Sequence, residues 1–336
     1  MKGKILLTGG AGYIGAHIVK DLLKEGHEVT VVDNLSSGFI KPIQILQKKY
    51  ERQSQSNLDF HKGDLRDKDF LRDIFSKNRI NAVIHLAAKI DAGESISHPE
   101  LYNQENYLNS INLVEAMTAK GVNKIIFSST CAVYGEPKYI PIDEQHPTNP
   151  NSPYGETKLD FENYLKKTQN LEYAIFRYFN VGGADPEGLV GRSHLGFNDL
   201  LENIMKVALG QKNNLEIYGA DYDTEDGTPI RDFIHVEDIS AAHIIGLKNL
   251  EKIKGAIFNL GSETGFSVKE VVVTAENVLG KTIPIKIAQR KEGDVRSSVA
   301  SAQKAKSILG WQPQYSDLET IIKTDWNWRK KHIDGY

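Results

Sequence analysis

The first half of the chain alternates short apolar runs with longer segments in which apolar residues recur at helical spacing. Such short runs predict strands, and the amphipathic segments between them predict helices. The repeat predicts a parallel sheet with helices on both faces, connected by right-handed crossovers. The predicted strands are 4–8, 28–32, 58–62, 82–86 and 124–129, and the predicted helices are 13–24, 40–52, 69–76 and 100–119.

Three glycines, Gly9, Gly12 and Gly15, follow the first predicted strand. Alone, their spacing also fits an ordinary strand-to-helix turn. It suits a dinucleotide pyrophosphate because glycines allow a tight turn, close approach of the backbone to phosphates and close helix–strand packing. The helix start adds free N–H groups and a positive dipole end. Asp33 follows the second strand, where a carboxylate can bind ribose hydroxyls and repel the extra phosphate of NADP, so the prediction is NAD.

In parallel sheets of this kind the ligand lies beyond the carboxyl ends of the strands. The polar stretch 34–38 can wrap the adenosine side of a cofactor or be an ordinary loop, and Asp64 can bind the adenine amino group. The predicted cofactor-binding residues beyond the glycines and Asp33 are Tyr13, Ile14, Asn34, Ser36, Asp64, Leu65, Leu86, Ala87, Ala88 and Ser128.

The candidate chemistry is carried by Thr130, Tyr154 and Lys158. Ser152 and Pro153 predict a helix start, which places Tyr154 and Lys158 at i and i+4 on one helical face. A phenol with its ordinary pKa of about 10 is a poor base at neutral pH. A nearby ammonium and a positive nicotinamide favour the phenolate, so we expect a lowered pKa. The Tyr-x-x-x-Lys spacing also fits a surface helix; its place after a strand ending in Ser-Ser-Thr favours catalysis.

Composition narrows the class of protein. With 336 residues, 40% apolar and 25% charged, the chain predicts one large or two closely packed globular domains. The net charge of −3 gives no basic field for nucleic acid or a membrane surface. The single cysteine, Cys131, and the absence of a signal peptide or a long apolar run lead us to expect a cytoplasmic protein. The ten histidines show no metal-ligand spacing, so no metal is predicted.

Five segments, TGGAGYIG, FSSTCAVYG, SPYGETK, RYFN and GTPIRDFIHV, occur in this order. With them, and with RKEGD, nearly the whole chain resembles the extended short-chain dehydrogenase/reductases, in particular those that epimerise UDP-hexoses at C4. The resemblance implies an α/β fold, namely a Rossmann-type doubly wound parallel sheet with a smaller C-terminal lobe that binds the nucleotide sugar. It also implies NAD and usually a homodimer.

The regular alternation loosens after Asn180. We therefore place the NAD-binding domain at 1–180 and the UDP-sugar-binding lobe mainly at 181–336. Helices are predicted at 197–209 and 236–250 and a strand at 256–260. The last two lead us to expect that 236–262 rejoins the first domain.

Position by position, the resemblance implies that Tyr154 is the catalytic base, Lys158 its partner on the nicotinamide ribose and Thr130 the hydroxyl at the sugar's 4-position. Tyr178 and Phe179 would lie by the nicotinamide, and Asn106 would bind the cofactor. The implied substrate-binding residues are Thr130, Tyr154, Phe179, Asn180, Asn198, Leu200, Tyr218, Arg231, Asp294 and Ser298.

Elementary chemistry supports some of these roles and leaves alternatives open. The Arg231 fork suits a diphosphate, but this residue and Asp232 can instead pair with neighbours. Tyr218 can stack on uracil or be a core aromatic. Asp294 can accept from ribose hydroxyls. Ser298 stands where the family has either a tyrosine or a small residue, so we expect room for a 2-acetamido group and activity on glucose/galactose and N-acetyl forms alike.

Four positions depart from the family pattern. Lys89 comes one residue early, with Ile90 in the matching place, which leaves its role in holding NAD open. Asn106 alone is retained from a pair of asparagines. Asp199 replaces an amide and is unfavourable near a diphosphate unless it faces away. Lys291 keeps the charge of an arginine but loses its fork.

The implied reaction is a reversible inversion at C4 of a UDP-hexose through a 4-keto sugar. A nucleotide-sugar 4,6-dehydratase or decarboxylase on the same fold is the alternative. A dehydratase needs an acid and a base after the strand-end Ser or Thr, where this chain has Cys131 and Ala132. A nonenzymatic NAD-sensing protein would commonly lack the tyrosine or the lysine, whereas Tyr154 and Lys158 are both present.

Overall fold

The computed structural model of the chain describes residues 3–51, 57–193, 199–291 and 293–336. Its strands are β1 Lys4–Thr8, β2 Glu28–Asp33, β3 Leu58–Lys62, β4 Ile80–His85, β5 Lys124–Thr130, β6 Glu172–Tyr178, β7 Asn180–Gly182, β8 Leu215–Tyr218, β9 Ile230–His235, β10 Ala256–Leu260, β11 Gly265–Ser267, β12 Ile285–Ala288 and β13 Ser297–Ser298. Its helices are α1 Tyr13–Lys24, α2 Ile40–Tyr50, α3 Lys68–Lys77, α4 Ala92–Ser97, α5 Pro99–Tyr102, α6 Asn109–Thr118, α7 Pro153–Lys167, α8 Leu200–Ala208, α9 Val236–Ile253, α10 Val268–Leu279 and α11 Leu318–Lys331. Short π-helical segments cover Asn103–Leu108 and Ala305–Leu309, and a 3₁₀ turn covers Cys131–Tyr134.

The large sheet has seven strands within the described ranges, in the order β10-β6-β5-β4-β1-β2-β3. Every neighbouring pair is parallel. The chain runs outward from β1 to β2 and β3, then returns to place β4 on the other side of β1. The order therefore reverses between β1 and β4, where doubly wound sheets bind their ligands. The predicted Rossmann-type α/β fold is confirmed.

The apolar strand sequences are explained by burial on both faces of this sheet. Along β1, Ile5 and Leu7 join the core under α1, α2 and α9, whereas Leu6 joins the core under α3, α6 and α7. Successive side chains of a strand point to opposite faces, so a sheet covered on both sides needs an unbroken apolar run. This requirement explains why β1 reads as KILLT rather than as an alternating pattern.

The second half of the chain adds a smaller layer around β9. Strands β11 and β13 flank β9, β7 also pairs with it, and β8 pairs with β12. The helices α8, α10 and α11 pack on this layer through a separate apolar cluster that includes Leu201, Val271 and Ile321. In contrast, β10 forms an edge of the large sheet beside β6, and α9 packs on the α1 side of that sheet.

Several predicted bounds need correction. The predicted helix 100–119 starts at Pro99, whose ring suits a first helical position, and it contains a π-helical segment before α6. The predicted helix 69–76 starts one residue earlier because the Asp67 carboxylate caps it. Strand 82–86 is Ile80–His85, strand 124–129 extends to Thr130, and helix 236–250 extends to Ile253. Helix 197–209 is observed as Leu200–Ala208, and residues 197 and 198 lie outside the described residues, as does the end of the predicted helix 40–52.

In the part of the chain that the structure describes, no helix is long and apolar enough to cross a membrane. Nor does it contain a group of three or more His, Cys, Asp or Glu side chains arranged to hold a metal ion.

Candidate active site

The glycine loop lies between β1 and α1 at the carboxyl edge of the large sheet. Gly9 has φ +74°, and a Cβ there would come within 2.7 Å of the Ala87 backbone nitrogen. A Cβ at Gly15 would come within 2.2 Å of the Gly9 carbonyl oxygen, so helix and strand approach closely only because position 15 has no side chain. Gly12 is the N-cap of α1, and no described side chain caps that end. The loop is a backbone-lined cradle at a helix N-terminus, which is suited to a pyrophosphate.

Asp33 ends β2 beside this cradle. Its carboxylate accepts hydrogen bonds from the Ala11 N–H at 3.0 Å and the Leu35 N–H at 2.8 Å, and burial raises its pKa. The Asn34 amide donates to the Asp64 carboxylate at 2.9 Å. The structure thus brings together the ends of β2 and β3, where the sequence predicts adenosine contacts.

Arg66 is a neighbour of this region that the sequence analysis missed. Its guanidinium donates to both oxygens of Asp64, at 3.1 and 3.0 Å, and holds the pKa of that carboxyl at about 2. Asp64 is therefore ionised at neutral pH and can accept further hydrogen bonds. The Ser36 N–H donates to the Asn34 side chain at 2.9 Å, and the Leu65 side chain is buried in the core.

The loop after β4 is held from two sides. The Leu86 N–H donates to the Thr8 carbonyl oxygen at 3.1 Å. Asn106 is buried, and its amide bonds both the backbone N–H (2.8 Å) and the carbonyl oxygen (2.9 Å) of Lys89. The Lys89 ammonium pairs with Glu94 at 3.1 Å. Asn106 thus supports the strand-end loop that carries Ala87 and Ala88, while the Lys89 side chain turns toward Glu94.

The three candidate catalytic side chains come from the end of β5 and the start of α7. Ser152 caps α7 through its side chain, as the sequence predicts. The Thr130 and Tyr154 side chains are hydrogen-bonded to each other. The buried Lys158 ammonium, one helical turn further on, donates to the Ser128 carbonyl oxygen at 2.9 Å. The fold therefore brings the Thr130 hydroxyl to the Tyr154 phenol, with Lys158 one turn further along α7 and bonded to the backbone of β5.

The pKa of Tyr154 corrects the expectation drawn from the i, i+4 spacing. Burial raises the pKa of Tyr154 to about 12, although the hydrogen bond with Thr130 acts to lower it. Burial lowers the pKa of the Lys158 ammonium to about 7, with Glu162 opposing the shift. Both shifts have one cause, since a site shielded from water disfavours the charged form of either group. A phenolate at Tyr154 therefore needs a further positive charge.

Behind these groups lies a buried polar layer that the sequence analysis missed. The Tyr178 hydroxyl bonds the Ser128 hydroxyl at 2.6 Å and His243 Nε2 at 2.7 Å. Arg177 donates twice to Glu162, at 2.9 and 2.5 Å. The position of Glu162 could have been predicted from the sequence, because it follows Lys158 by four residues on one helix. The position of His243 could not, because this residue contacts Tyr178 across 65 residues of chain.

The smaller layer around β9 meets the candidate catalytic groups through a line of contacts. The Arg231 guanidinium and the Asp294 carboxylate form an ion pair with each other. Ser298 lies opposite Arg231 in the β13–β9 register and is hydrogen-bonded to the Cys131 thiol. Cys131 directly follows Thr130. Arg231, Ser298, Cys131 and Thr130 thus link the two parts of the candidate site.

Other predicted substrate residues border this line. Asn180 opens β7 and donates to the Asp232 carbonyl oxygen at 3.0 Å. Phe179 is buried in a small apolar cluster between the large sheet and the lobe. Tyr218 ends β8 and is not a core aromatic; the Lys291 ammonium lies 3.9 Å from its ring centroid. A base that stacks on Tyr218 must therefore displace Lys291 or use the opposite ring face.

The remaining positions near α8 and β9 have structural partners. Asn198 lies outside the described residues. Leu200 is the first residue of α8 and packs against the lobe core. Asp199 caps α8 and pairs with Arg192. Asp232 is buried, and its carboxylate accepts hydrogen bonds from the Ser262, Glu263 and Ala300 N–H groups. Burial raises the pKa of Asp232 to about 6.

Comparisons with known proteins agree with this geometry. The chain matches the model of the NAD dependent epimerase/dehydratase family over residues 5–261. A UDP-glucose 4-epimerase of Halalkalibacterium halodurans is 45% identical over 99% of this chain and 97% of its own length. The structure of UDP-glucose 4-epimerase from Bifidobacterium longum in complex with NAD+ and UDP has a TM-score of 0.94 at 35% identity, covering 99% of this chain and 100% of that one. The UDP-Glc/GlcNAc 4-epimerase from Campylobacter jejuni has a TM-score of 0.84 at 40% identity, covering 98% and 99%.

Proposed function

Because the chain belongs to the NAD dependent epimerase/dehydratase family, we propose that it interconverts UDP-hexoses that differ in configuration at C4, with NAD as its cofactor. The observation that carries this proposal is the grouping of Thr130, Tyr154 and Lys158 at the strand ends beside the glycine cradle. The same groups connect through Ser298 to Arg231 in the lobe. These contacts support a proton-transfer centre that lies between a dinucleotide site and an anion-binding arginine.

The residues present fit NAD. The cradle that a Cβ at Gly9 or Gly15 would fill suits the pyrophosphate, and Asp33 at the end of β2 suits the adenosine ribose. Lys158 and Ser128 would lie toward the nicotinamide half. When bound, NAD supplies the oxidising centre that turns C4 into a ketone and then restores it.

The side chains have separate tasks in this reaction. Tyr154 removes the proton of the sugar 4-hydroxyl and later returns it, while Thr130 orients that hydroxyl. Tyr154, whose pKa is about 12 in the protein, would become a competent base when a positive charge such as that of oxidised NAD lay beside it, because that charge would favour the phenolate. Binding energy concentrates on the UDP moiety through Arg231, which leaves the hexose free to present either face.

We also propose that the enzyme accepts N-acetylated UDP-hexoses. Ser298 is a small residue beside Cys131 and Arg231, so the wall next to the sugar has no bulky side chain at this position. The similarity to the Campylobacter jejuni enzyme described as acting on both sugar types supports this extension. Pockets reject larger substrates by lack of volume, and serine leaves volume.

A homodimer and a cytoplasmic location complete the proposal. The exposed apolar residues Ile90, Ile96, Leu101 and Leu108 lie in one segment that packs on α7, and such a set supports a self-association surface. Light scattering should give the mass of a dimer, and Leu101→Glu should shift it toward a monomer. The one cysteine, which is free, supports a reducing compartment.

The test is the product mixture formed from UDP-galactose and, separately, from UDP-N-acetylgalactosamine, first without added cofactor and then with saturating NAD. We expect the corresponding C4 epimers at equilibrium, identified by nuclear magnetic resonance of the sugar ring. Failure to invert any UDP-hexose with saturating NAD would overturn the proposal. A 4-keto-6-deoxy sugar as product would instead identify a dehydratase.

A further inference from the structure

Lys158 is a buried lysine whose positive charge the proposed reaction uses. Its ammonium donates to the Ser128 carbonyl oxygen at 2.9 Å and lies 4.9 Å from the ring centroid of Phe127. The residue is only 3% exposed, and burial lowers the pKa of its ammonium to about 7. A lysine in water is fully charged at neutral pH, whereas a buried one loses its proton unless a nearby anion favours the charged form. The charge of Lys158 therefore depends on the anion that the fold places near it.

Glu162 lies one helical turn after Lys158 on α7 and supplies this anion. The two residues are at i and i+4, and both side chains reach the end of β5. The Glu162 side chain is completely buried, and its charge raises the pKa of Lys158 against the effect of burial. No carboxylate of the described residues forms an ion pair with Lys158, so Glu162 acts on the ammonium through space rather than by direct contact.

Three hydrogen bonds fix the position of the Glu162 carboxylate. Arg177 donates to both carboxylate oxygens, at 2.9 and 2.5 Å, and the Ser129 hydroxyl donates at 2.6 Å. Arg177 lies opposite Ser129 in the register of β5 and β6, and its guanidinium carbon lies 4.8 Å from the ring centroid of Tyr134. A buried carboxylate held by these donors keeps one position, so its electric field at the preceding turn of α7 is also fixed.

Among the described residues, the other ionisable side chains that face Lys158 from neighbouring elements are uncharged at neutral pH. Burial lowers the pKa of His85, at the end of β4, to about 3 and that of His243, on α9, to about 4. Burial also raises the pKa of Tyr154, on α7, to about 12 and raises the pKa of Tyr178, on β6. The field at Lys158 therefore comes from the carboxylate on its own helix and from the cations beside that carboxylate.

Two cations lie beside Glu162 without cancelling its effect on Lys158. Arg177 pairs with the carboxylate at 2.5 Å, and the Lys166 ammonium lies 3.7 Å from it. The Lys166 side chain is 35% exposed, so water screens its charge, whereas the charge of buried Arg177 is screened much less. Removal of the Glu162 charge alone would therefore change the field at Lys158 from attractive to repulsive.

We propose that Glu162 is a positioning residue whose carboxylate, fixed by Arg177 and Ser129, keeps the Lys158 ammonium charged and directed at the end of β5. This inference rests on the proposed function, in which a charged Lys158 favours the phenolate of Tyr154. Its signature is a change in the proton affinity of Lys158 itself. Loss of a contact that only stabilised the fold would leave that proton affinity unchanged.

The first test follows the Lys158 ammonium directly, in the full chain without substrate. Lysine labelled with carbon-13 at Cε reports its own protonation by nuclear magnetic resonance, and the spectrum of Lys158→Met identifies the signal. In Glu162→Gln we expect the proton affinity of Lys158 to fall on the order of 10-fold or more, because the anion is lost while the Arg177 guanidinium remains. Glu156→Gln, which changes an exposed glutamate on the same helix, is the matched control and should leave this proton affinity unchanged.

The second test is the pH dependence of turnover of UDP-galactose with saturating NAD. A lower proton affinity means that Lys158 loses its charge at a lower pH. The alkaline limb of the kcat profile should therefore move to lower pH by about one pH unit in Glu162→Gln, and it should stay in place in Glu156→Gln.

A double variant keeps the inference testable if Glu162→Gln does not fold. Glu162→Gln with Arg177→Met removes both buried charges, and the proton affinity of Lys158 should still fall, by about 3-fold, because Glu162 acts on Lys158 more strongly than Arg177 does.

The outcomes separate this inference from the proposed function. An unchanged or higher proton affinity of Lys158 in the variant that folds, an equal fall in Glu156→Gln, or a kcat profile that does not move with the proton affinity would overturn the role of Glu162. A wild-type protein that inverts no UDP-hexose would count against the proposed function, whereas the titration of Lys158 would still decide whether Glu162 maintains its charge.

Discussion

The two sides of the candidate site are organised by different interactions. On the cofactor side, polar groups stand at the ends of adjacent strands and bind backbone close by, as Asp33 does with Ala11 and Leu35. On the substrate side, side chains far apart in sequence bond each other; Arg231 and Asp294 are separated by 63 residues. The first arrangement is set by the sheet, whereas the second depends on side chains that only the fold brings together. Substitutions on the cofactor side should therefore alter turnover, and substitutions in the lobe should alter substrate binding and substrate specificity.

The largest effect is expected at Tyr154. Tyr154→Phe removes the group that exchanges the 4-hydroxyl proton, so kcat should fall by ~10² to 10⁴-fold while UDP and NAD binding persist. Steady-state turnover of UDP-galactose and calorimetric UDP binding measure the two quantities. Tyr164→Phe, on the same helix α7, is the matched control and should leave turnover unchanged. Near-normal turnover in Tyr154→Phe would exclude this phenol as the base.

A lobe residue should produce the opposite pattern. Arg231→Gln removes the cation expected to meet the diphosphate, so KM for a UDP-hexose should rise by about 10- to 100-fold, with a smaller change in kcat. Arg290→Gln serves as control, because that arginine pairs with Asp221 on the surface of the lobe. A fall in kcat at unchanged KM would show that the two sides do not divide binding from chemistry as described.

Discrimination between UDP-hexoses with and without an N-acetyl group should depend on the size of residue 298. Ser298→Tyr fills the space beside Cys131, so activity on N-acetylated UDP-hexoses should fall about 10- to 100-fold more than activity on UDP-galactose. The ratio of the two kcat/KM values is the measurement. Ser307→Tyr, at an exposed position, should leave that ratio unchanged. Equal losses of kcat/KM on both substrates would show that residue 298 does not control substrate specificity.

The smallest effect concerns stability. The folded-state pKa of Asp232, about 6, lies above its ordinary 3.8, so the folded protein binds this proton more tightly than the unfolded chain. Stability from this group is therefore greatest below about pH 4 and is lost as the pH rises to 6. The free energy of unfolding of wild type minus that of Asp232→Asn should fall by about 1–3 kcal/mol across this window. Denaturant titrations at several pH values measure it, and a difference that rises with pH would contradict the sign.

Much of the cofactor side was predictable because its signals are local. Gly9, Gly12 and Gly15 form one loop whose geometry depends on residues only a few positions apart, and the structure shows why each approach needs glycine. The family, the Rossmann-type fold and the NAD cofactor were predicted from such segments and are confirmed. The assignment of individual site residues stays a prediction that the variants above test.

The sequence-based predictions failed where the local sequence pattern favours one property and the tertiary environment favours the opposite one. The i, i+4 spacing put Tyr154 and Lys158 on one helix, α7, as observed, but it implied a lowered pKa for the phenol; burial, which no spacing reveals, raises that pKa. Likewise Asp199 reads as an unfavourable charge in the sequence. Only the fold shows that the Asp199 carboxylate pairs with the guanidinium of Arg192, seven residues earlier in the chain.

By itself the sequence determined the alternation of strands and helices, the glycine cradle and the placement of a tyrosine and a lysine one turn apart on one helix, because each depends on periodicity or on contacts within a few residues. Tertiary structure alone decided which charges neutralise each other, which side chains lose water and how the lobe meets the sheet. Electrostatic energy and desolvation depend on distances through space, and a linear pattern does not contain those distances.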